Sequence, residues 1–350
     1  MATNSEANVI PLHGNSNRTA AALRRGAQRA EAARRHPSLL SNPDQRATAE
    51  EMAAVVLEID AQRSAGEPGP NELAARISAV SEFLRKRLTG DYVVDGFGFD
   101  RHLNDAVLLP MMRVLFNNWF RVEVSGIENL PVSGAGLVVA NHAGVLPLDG
   151  LMASVAVHDH HPSGRDLRLL AADLVFDTPM LGQLARKAGH TMACAADAHR
   201  LLAGGELTAV FPEGYKGLGK HFRDRYKLQR FGRGGFVAAA LRTGAPIIPC
   251  SIVGSEEIYP MVADLKLLAR LLGLPYFPVT PLFPLAGPAG LIPLPSKWHI
   301  AFGTPIETAG YDDTAADDPM VTFELTDQVR ETIQQTLYQL LSNRRNTFLG

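Results

Sequence analysis

His142 and Asp149 are the residues of this sequence whose types and setting could do chemistry. They lie in Val138-Val139-Ala140-Asn141-His142-Ala143-Gly144-Val145-Leu146-Pro147-Leu148-Asp149-Gly150, where an apolar strand empties into a turn carrying both a base and a carboxylate. Proteins of the α/β class place their chemistry at such strand exits. An imidazole with an ordinary pKa of about 6.5 accepts a hydroxyl proton at neutral pH, and a carboxylate on its other ring nitrogen fixes the tautomer and stabilises the imidazolium. The pattern suits a His-Asp general base that works without a serine. The same two residues also fit a solvated loop histidine followed by a helix-capping aspartate, so the rest of the chain has to decide between the readings.

A second apolar run, Leu207-Thr208-Ala209-Val210-Phe211, ends in the polar turn Pro212-Glu213-Gly214-Tyr215-Lys216, and a third reads Ile247-Ile248-Pro249-Cys250-Ser251-Ile252-Val253-Gly254. The ordered set of N-H…D, F-P-E-G and this last strand resembles the glycerolipid acyltransferase family of the 1-acylglycerol-3-phosphate type. The resemblance covers residues 115 to 310 and includes the lead-in Arg121-Val122-Glu123-Val124-Ser125-Gly126-Ile127-Glu128-Asn129-Leu130-Pro131. Two departures bear on the substrate. Six residues separate His142 from Asp149 where the common family pattern has four, which is closer to the H-G-x-x-P-x-D turn of a branch associated with neutral-lipid synthesis. In Gly189-His190-Thr191-Met192-Ala193-Cys194-Ala195, alanine stands where phosphate-acceptor members carry the arginine of G-x-x-F-I-x-R.

The resemblance implies an O-acyltransferase that moves a fatty acyl group from acyl-CoA or acyl-carrier protein to the hydroxyl of a glycerolipid, a lysophospholipid or another lipid alcohol. His142 would be the base and Asp149 its orienting carboxylate. Glu213, Gly214 and Lys216 would form the acceptor-binding turn, and backbone N–H groups of the glycine-containing turns would be the oxyanion donors. Gly232-Arg233-Gly234 is a candidate contact for the donor or for phosphate through the start of the helix that follows. No tightly bound cofactor is expected. Imidazole and carboxylate are metal ligands, but adjacent residues seldom converge on one ion, so His158-Asp159-His160-His161 reads as a solvated loop and no metal site is expected. Two alternatives remain: a lipid-binding or scaffolding protein that kept the fold without the chemistry, and a lipid hydrolase, against which stands the absence of a G-x-S-x-G elbow.

Composition sets the outer limits. The chain has 350 residues, 46% hydrophobic and 20% charged, with a formal charge of -2, which fits a globular protein and excludes a polyelectrolyte mode of nucleic-acid binding. Cys194 and Cys250 form no C-x-x-C pair, so neither a disulfide framework nor a structural zinc site is expected. With no signal-peptide pattern and no apolar run long enough to span, the expected location is cytoplasmic, peripheral to the inner face of a membrane.

The elements that must position the site follow from periodicity. The expected fold class is α/β, a mixed sheet flanked by helices with an N-terminal helical extension. Residues 1–45, rich in arginine, read as a disordered basic tail. Residues 46–114 read as the helical extension, with amphipathic helices between Ala47 and Leu88, Asn71 as a cap, and a third helix ending near Phe120. Strands are expected at Leu137–Ala140, Leu167–Ala171, Leu207–Phe211, Ile247–Val253 and His299–Phe302, with a helix at Gly235–Thr243. Residues 311–350 read as a linker and closing helix through Leu325, Val329, Ile333, Leu337 and Leu340. A helix is also expected over Met261–Leu272. The charge-free stretch from Leu271 to Ser296 holds seven prolines, which forbid a continuous spanning helix. It is open to two arrangements, an interfacial membrane patch or a proline-rich loop buried over the core.

Overall fold

Period-two alternation in the apolar runs produces a sheet with two buried faces. In the strand Gly136–Ala140, Val138 and Ala140 enter one apolar layer while Leu137 and Val139 enter the other. The computed structural model describes residues 82–348 except 84, 179, 233 and 313, all within the unit Gly66–Gly350. The basic tail, Asn71, Arg233 and most of the segment expected to hold the first two helices lie outside the described residues.

In chain order, a helical stretch α1 (101–119) alternates α turns at Arg101–Leu103 and Leu109–Val114 with π turns at Asn104–Leu108 and Leu115–Trp119. The Asp100 side chain caps its start by accepting from the Leu103 N–H. Then follow β1 (Glu123–Ser125), β2 (Gly136–Ala140), α2 (Leu148–His160), β3 (Leu167–Ala171), α3 (Asp173–Asp177) and α4 (Leu181–Lys187). The middle of the chain forms β4 (Thr191–Met192), α5 (Ala195–Ala203), β5 (Leu207–Val210), α6 (Tyr215–Leu218), α7 (Gly235–Thr243) and β6 (Ile247–Val253). A small subdomain of β7 (Ala263–Asp264), α8 (Lys266–Leu272) and β8 (Pro278–Val279) precedes β9 (His299–Phe302) and α9 (Pro319–Asn343).

The seven-stranded sheet has the order β1-β9-β6-β2-β5-β3-β4. Its pairs are parallel except β6 with β9, so β1 and β9 run against the rest and the sheet is mixed. Strand β2 is central, with Val138 in register with Ala209 of β5 and Ile248 of β6. One face packs on α1 and α2 through Phe116, Met152, Val155 and Ala156, while the other packs on α5, α7 and α9 through Leu201, Val237, Val329 and Ile333. The stripe Leu325, Val329, Ile333 and Leu337 repeats every four residues and is buried along α9, so the closing helix completes the core.

Two expectations need correction. The helix expected over Met261–Leu272 forms only from Lys266, because Ala263–Asp264 is drawn into antiparallel pairing with Pro278–Val279. The His158–His161 run is not a loop: His158, Asp159 and His160 form the last turn of α2 and His161 caps it. The proline-rich segment divides between the two arrangements. Thr280, Gly290 and Ser296 are buried, yet Leu285 is 90% exposed, with Leu282, Leu291 and Ile292 exposed beside it in the chain.

Ile333→Ala should lower the unfolding free energy by about 2–5 kcal/mol in urea titrations, the usual range for truncating a buried isoleucine. Phe323→Ala, on the exposed side of the same helix, should change it by no more than about 0.5 kcal/mol.

Candidate active site

Strand β2 ends at Ala140, with Asn141 between it and His142. The Asn141 side chain continues the ladder to β6, donating Nδ2–H to the Ile252 carbonyl at 3.0 Å and accepting the Ile252 N–H at 2.7 Å. The next backbone N–H, that of His142, turns the other way and donates to Glu213 Oε1 at 2.9 Å. Glu213 follows β5, and its other oxygen accepts the Gln229 N–H at 2.6 Å while the Lys220 ammonium stands 3.5 Å away. Adjacent residues thus fasten the exit of β2 to both neighbouring strands, and a buried carboxylate with donors on both oxygens is a stiff fastening.

The side chains that spacing alone left in question meet. His142 Nδ1 lies 2.7 Å from Asp149 Oδ2. The same oxygen accepts the Ala143 N–H at 2.9 Å, and Oδ1 accepts the Gly150 N–H at 2.9 Å. Asp149 is fully buried in the first turn of α2, where the helix dipole favours a carboxylate. As a hydrogen-bond acceptor from two backbone groups, it places the imidazole proton on Nδ1 and leaves the Nε2 lone pair as the available base. The ring packs on Phe211, centroids 4.5 Å apart, and Gly217 of α6 packs so closely that a Cβ there would stand 2.4 Å from the His142 carbonyl.

The six intervening residues fold tightly. Gly144 has φ 97 and no room for a side chain, since a Cβ would lie 2.6 Å from the Ser255 carbonyl. Val145, a β-branched residue, is held at φ 64. The Leu146 N–H donates to the Gly144 carbonyl at 2.6 Å and the Leu148 N–H to the Leu146 carbonyl at 2.8 Å, so the excursion doubles back and delivers Asp149 to the imidazole. The Tyr276 hydroxyl donates to the Val145 carbonyl and ties the proline-rich segment to this turn.

The other residues singled out in the sequence are placed as follows. Gly214, at φ 54, leads into α6, and Lys216 is exposed on that helix beside the Gly217 that touches His142. Gly234, at φ 73, caps the start of α7 against Thr322 and Thr326 of α9, and Gly232 before it is exposed. No hydrogen bond or packing contact joins Gly232 or Gly234 to His142 among the described residues.

Comparison with known proteins decides the family. Residues 121–253 match the acyltransferase family and include both His142 and Glu213. An uncharacterized Mycobacterium tuberculosis protein is 71% identical over 100% of this chain and 99% of its own, and one from Mycobacterium leprae is 68% identical over 99% and 97%. Residues 121–253 are an acyltransferase domain. A more distant relative, the Bos taurus "DGAT1/2-independent enzyme synthesizing storage lipids", is 26% identical over 62% of this chain and 59% of its own. Among solved structures, the 1-acyl-sn-glycerophosphate acyltransferase PlsC of Thermotoga maritima is 19% identical, with a TM-score of 0.44 over 70% of this chain and 84% of that one.

In this acyltransferase a buried polar network backs the site that sequence reasoning did not find. Lys220 Nζ donates to Glu256 Oε1 at 3.0 Å, and the same oxygen accepts the Tyr226 N–H at 3.0 Å. The Tyr226 hydroxyl lies 2.6 Å from both Glu257 oxygens and accepts the Gly254 N–H at 3.0 Å, while Arg344 Nη1 donates to Glu257 Oε1 at 3.0 Å. Only the adjacent acidic pair Glu256-Glu257 directly after an apolar strand hinted at it. Burial pushes the Glu256 carboxyl up to about 7, with the Glu213 charge adding to the rise and Lys220 opposing it.

Between the ordinary 4.5 and about 7, the native protein therefore holds a proton on Glu256 that the unfolded chain has released. Its stabilising contribution is full below that window and is lost as pH rises through it. Glu256→Gln, which cannot ionise, should gain stability relative to the wild type as pH is raised from about 5 to about 8, read from urea midpoints. A constant difference between the two proteins across that range would contradict the shift.

Proposed function

We propose that this acyltransferase moves a fatty acyl group from acyl-CoA or acyl-carrier protein to the hydroxyl of a lipid alcohol, with His142 as general base. The carrying observation is the bond of 2.7 Å between His142 Nδ1 and buried Asp149, which leaves Nε2 without a protein hydrogen-bond partner among the described residues. Nε2 takes the hydroxyl proton as oxygen attacks the thioester carbonyl, Asp149 stabilises the imidazolium, and the proton passes to the departing thiolate as the C–S bond breaks. No acyl-enzyme is formed. Gly214 and Lys216 contact the acceptor from the turn that Glu213 holds, and the sequence Gly232-Arg233-Gly234 supplies contacts to the donor or to phosphate.

A neutral glycerolipid is the favoured acceptor. Ala195 starts α5 with a methyl where phosphate-acceptor members have an arginine, and Lys216 offers a point charge rather than a bidentate fork. The mammalian relatives named for storage-lipid synthesis support the same choice.

The acceptor would be met at a membrane. No helix among the described residues is long and apolar enough to cross a bilayer. Leu267 and Leu271, one turn apart on α8, are 83% and 81% exposed, and Lys266 and Arg270 beside them suit anionic headgroups. Tyr276, in the segment that follows α8, is bonded to the catalytic turn, which puts this surface in direct connection with the site.

His142→Ala should lower thioester-dependent acyl transfer by about 100-fold to 10,000-fold with folding intact, and Asp149→Asn should lower it by a smaller factor. The same assay, run with a monoacylglycerol and with lysophosphatidic acid at equal concentration, should give comparable or higher kcat/KM for the neutral lipid. Full activity in the His142 variant would refute the mechanism, and a preference of about 100-fold for the phosphorylated acceptor would refute the neutral assignment. Separately, Leu271→Glu combined with Leu285→Glu should reduce co-sedimentation with phosphatidylglycerol-containing vesicles. Unchanged sedimentation would remove this surface from the membrane contact.

A further inference from the structure

Three potential metal ligands converge where β3 begins, the end of the parallel strands opposite to the exit of β2 that carries His142. Asp105 comes from the first π turn of α1, His158 from the last turn of α2, and Asp166 from the residue before β3. One ligand-type atom from each lies within 4.8 Å of the other two. Ligands at about 2.1 Å from a shared ion stand about 3.4 Å apart in a tetrahedron and about 4.2 Å apart when opposed in an octahedron, and the 3.6 Å between His158 Nε2 and Asp105 Oδ1 lies in that range.

The surroundings of each residue point the same way. His158 Nδ1 is 3.1 Å from Asp159 Oδ1, and Asp159 is itself gripped by Arg113 through Nε at 2.7 Å and Nη2 at 2.6 Å. Arg113 Nη2 also stands 3.4 Å from Nδ1, a longer approach than the carboxylate makes. With Nδ1–H directed to Asp159, Nε2 faces Asp105 Oδ1 at 3.6 Å, too far for a hydrogen bond. A carboxylate on one ring nitrogen and an open second nitrogen is how metal-binding histidines are oriented.

Asp166 supplies a separate observation. Its Oδ2 pairs with Arg101 Nε at 3.0 Å, but its Oδ1 is buried with no hydrogen-bond partner. A carboxylate oxygen sealed from water without a donor is costly, and a cation removes that cost. His158 and Asp166 reach the wall of a cavity of about 40 Å³ whose other polar lining is Asn104, Ser154 and His190 and whose remaining wall is apolar; Asp105 stands outside it, so the cavity can hold a water ligand beside the ion. The last turn of α2 adds the negative end of a helix dipole.

We propose that Asp105, His158 and Asp166 bind one divalent cation, Mn²⁺ or Zn²⁺ by the chemistry of one imidazole and two carboxylates, which clamps α1 to the end of α2 and the start of β3. The site is independent of the acyl-transfer reading, because it shares no residue with the His142 turn.

The test is calorimetric titration of the chelator-treated full chain with MnCl₂ and ZnCl₂, paired with thermal melts. One equivalent should bind to this site and raise Tm, and His158→Gln and Asp105→Asn, both near the surface, should remove that equivalent and the Tm rise. Asp159→Asn, which leaves all three ligands in place, should weaken binding by about 10-fold to 100-fold. His142→Ala should bind as the wild type does. No saturable binding below about millimolar metal, or binding and Tm rise that persist in both ligand variants, would overturn the proposal.

Discussion

The bond from the His142 N–H to the Glu213 carboxylate is the constraint on which the site rests. Strands β2 and β5 pair in parallel, and their last ladder contacts, at Val139 and Val210, stop short of His142 and Glu213. Beyond that point nothing in the sheet holds the two exits together. Glu213 replaces the missing ladder with a charged acceptor whose two oxygens span His142 on one strand exit and Gln229 in the segment leading to α7. Asn141 does the same toward β6. The histidine is therefore held twice, by its backbone on Glu213 and by its ring on Asp149, so its imidazole is positioned by the fold.

That fastening sets an electrostatic problem, which the rest of the molecule answers. Glu213 and Glu256 are both buried and share one cation, Lys220. Burial is the main reason the Glu256 carboxyl is raised; Lys220 opposes the rise, and the Glu213 charge adds to it because one ammonium serves both carboxylates. The neighbouring Glu257 is balanced separately by Arg344, which follows α9, so the C-terminal helix serves the network as well as the core. Residues 311–350, read from sequence as a closing linker and helix, thus contribute an ion pair to the network that also holds Gly254 at the exit of β6.

The long His-Asp turn shows how local strain is sustained. A β-branched residue at positive φ costs free energy, and such conformations persist where the surroundings over-determine them. Here Val145 is held by the Tyr276 hydroxyl on its carbonyl, while the neighbouring Gly144 packs against the Ser255 carbonyl. The proline-rich segment therefore has two faces: Tyr276 and Thr280 turned into the protein, Leu285 turned away from it. Its lack of charge, visible in the sequence, is compatible with both.

The sequence by itself determined the α/β class, the five apolar strands, the helices at Gly235–Thr243 and near the C terminus, and the position of His142 and Glu213 at strand exits. These depend on the periodicity of neighbouring residues and on motifs read within a few positions. Tertiary structure decided what couples residues far apart in the chain. It brought Asp149 to His142 through a doubled-back turn, paired Lys220 with Glu256, and set Asp105 and Asp166 beside His158 in a helix end that reads as a loop. It also cut short the helix expected from Met261, where pairing with Pro278–Val279 outweighed a helical apolar stripe. Contacts of that kind have no fixed spacing, because the partner of a buried charge is chosen by the fold's geometry and by the cost of leaving that charge alone.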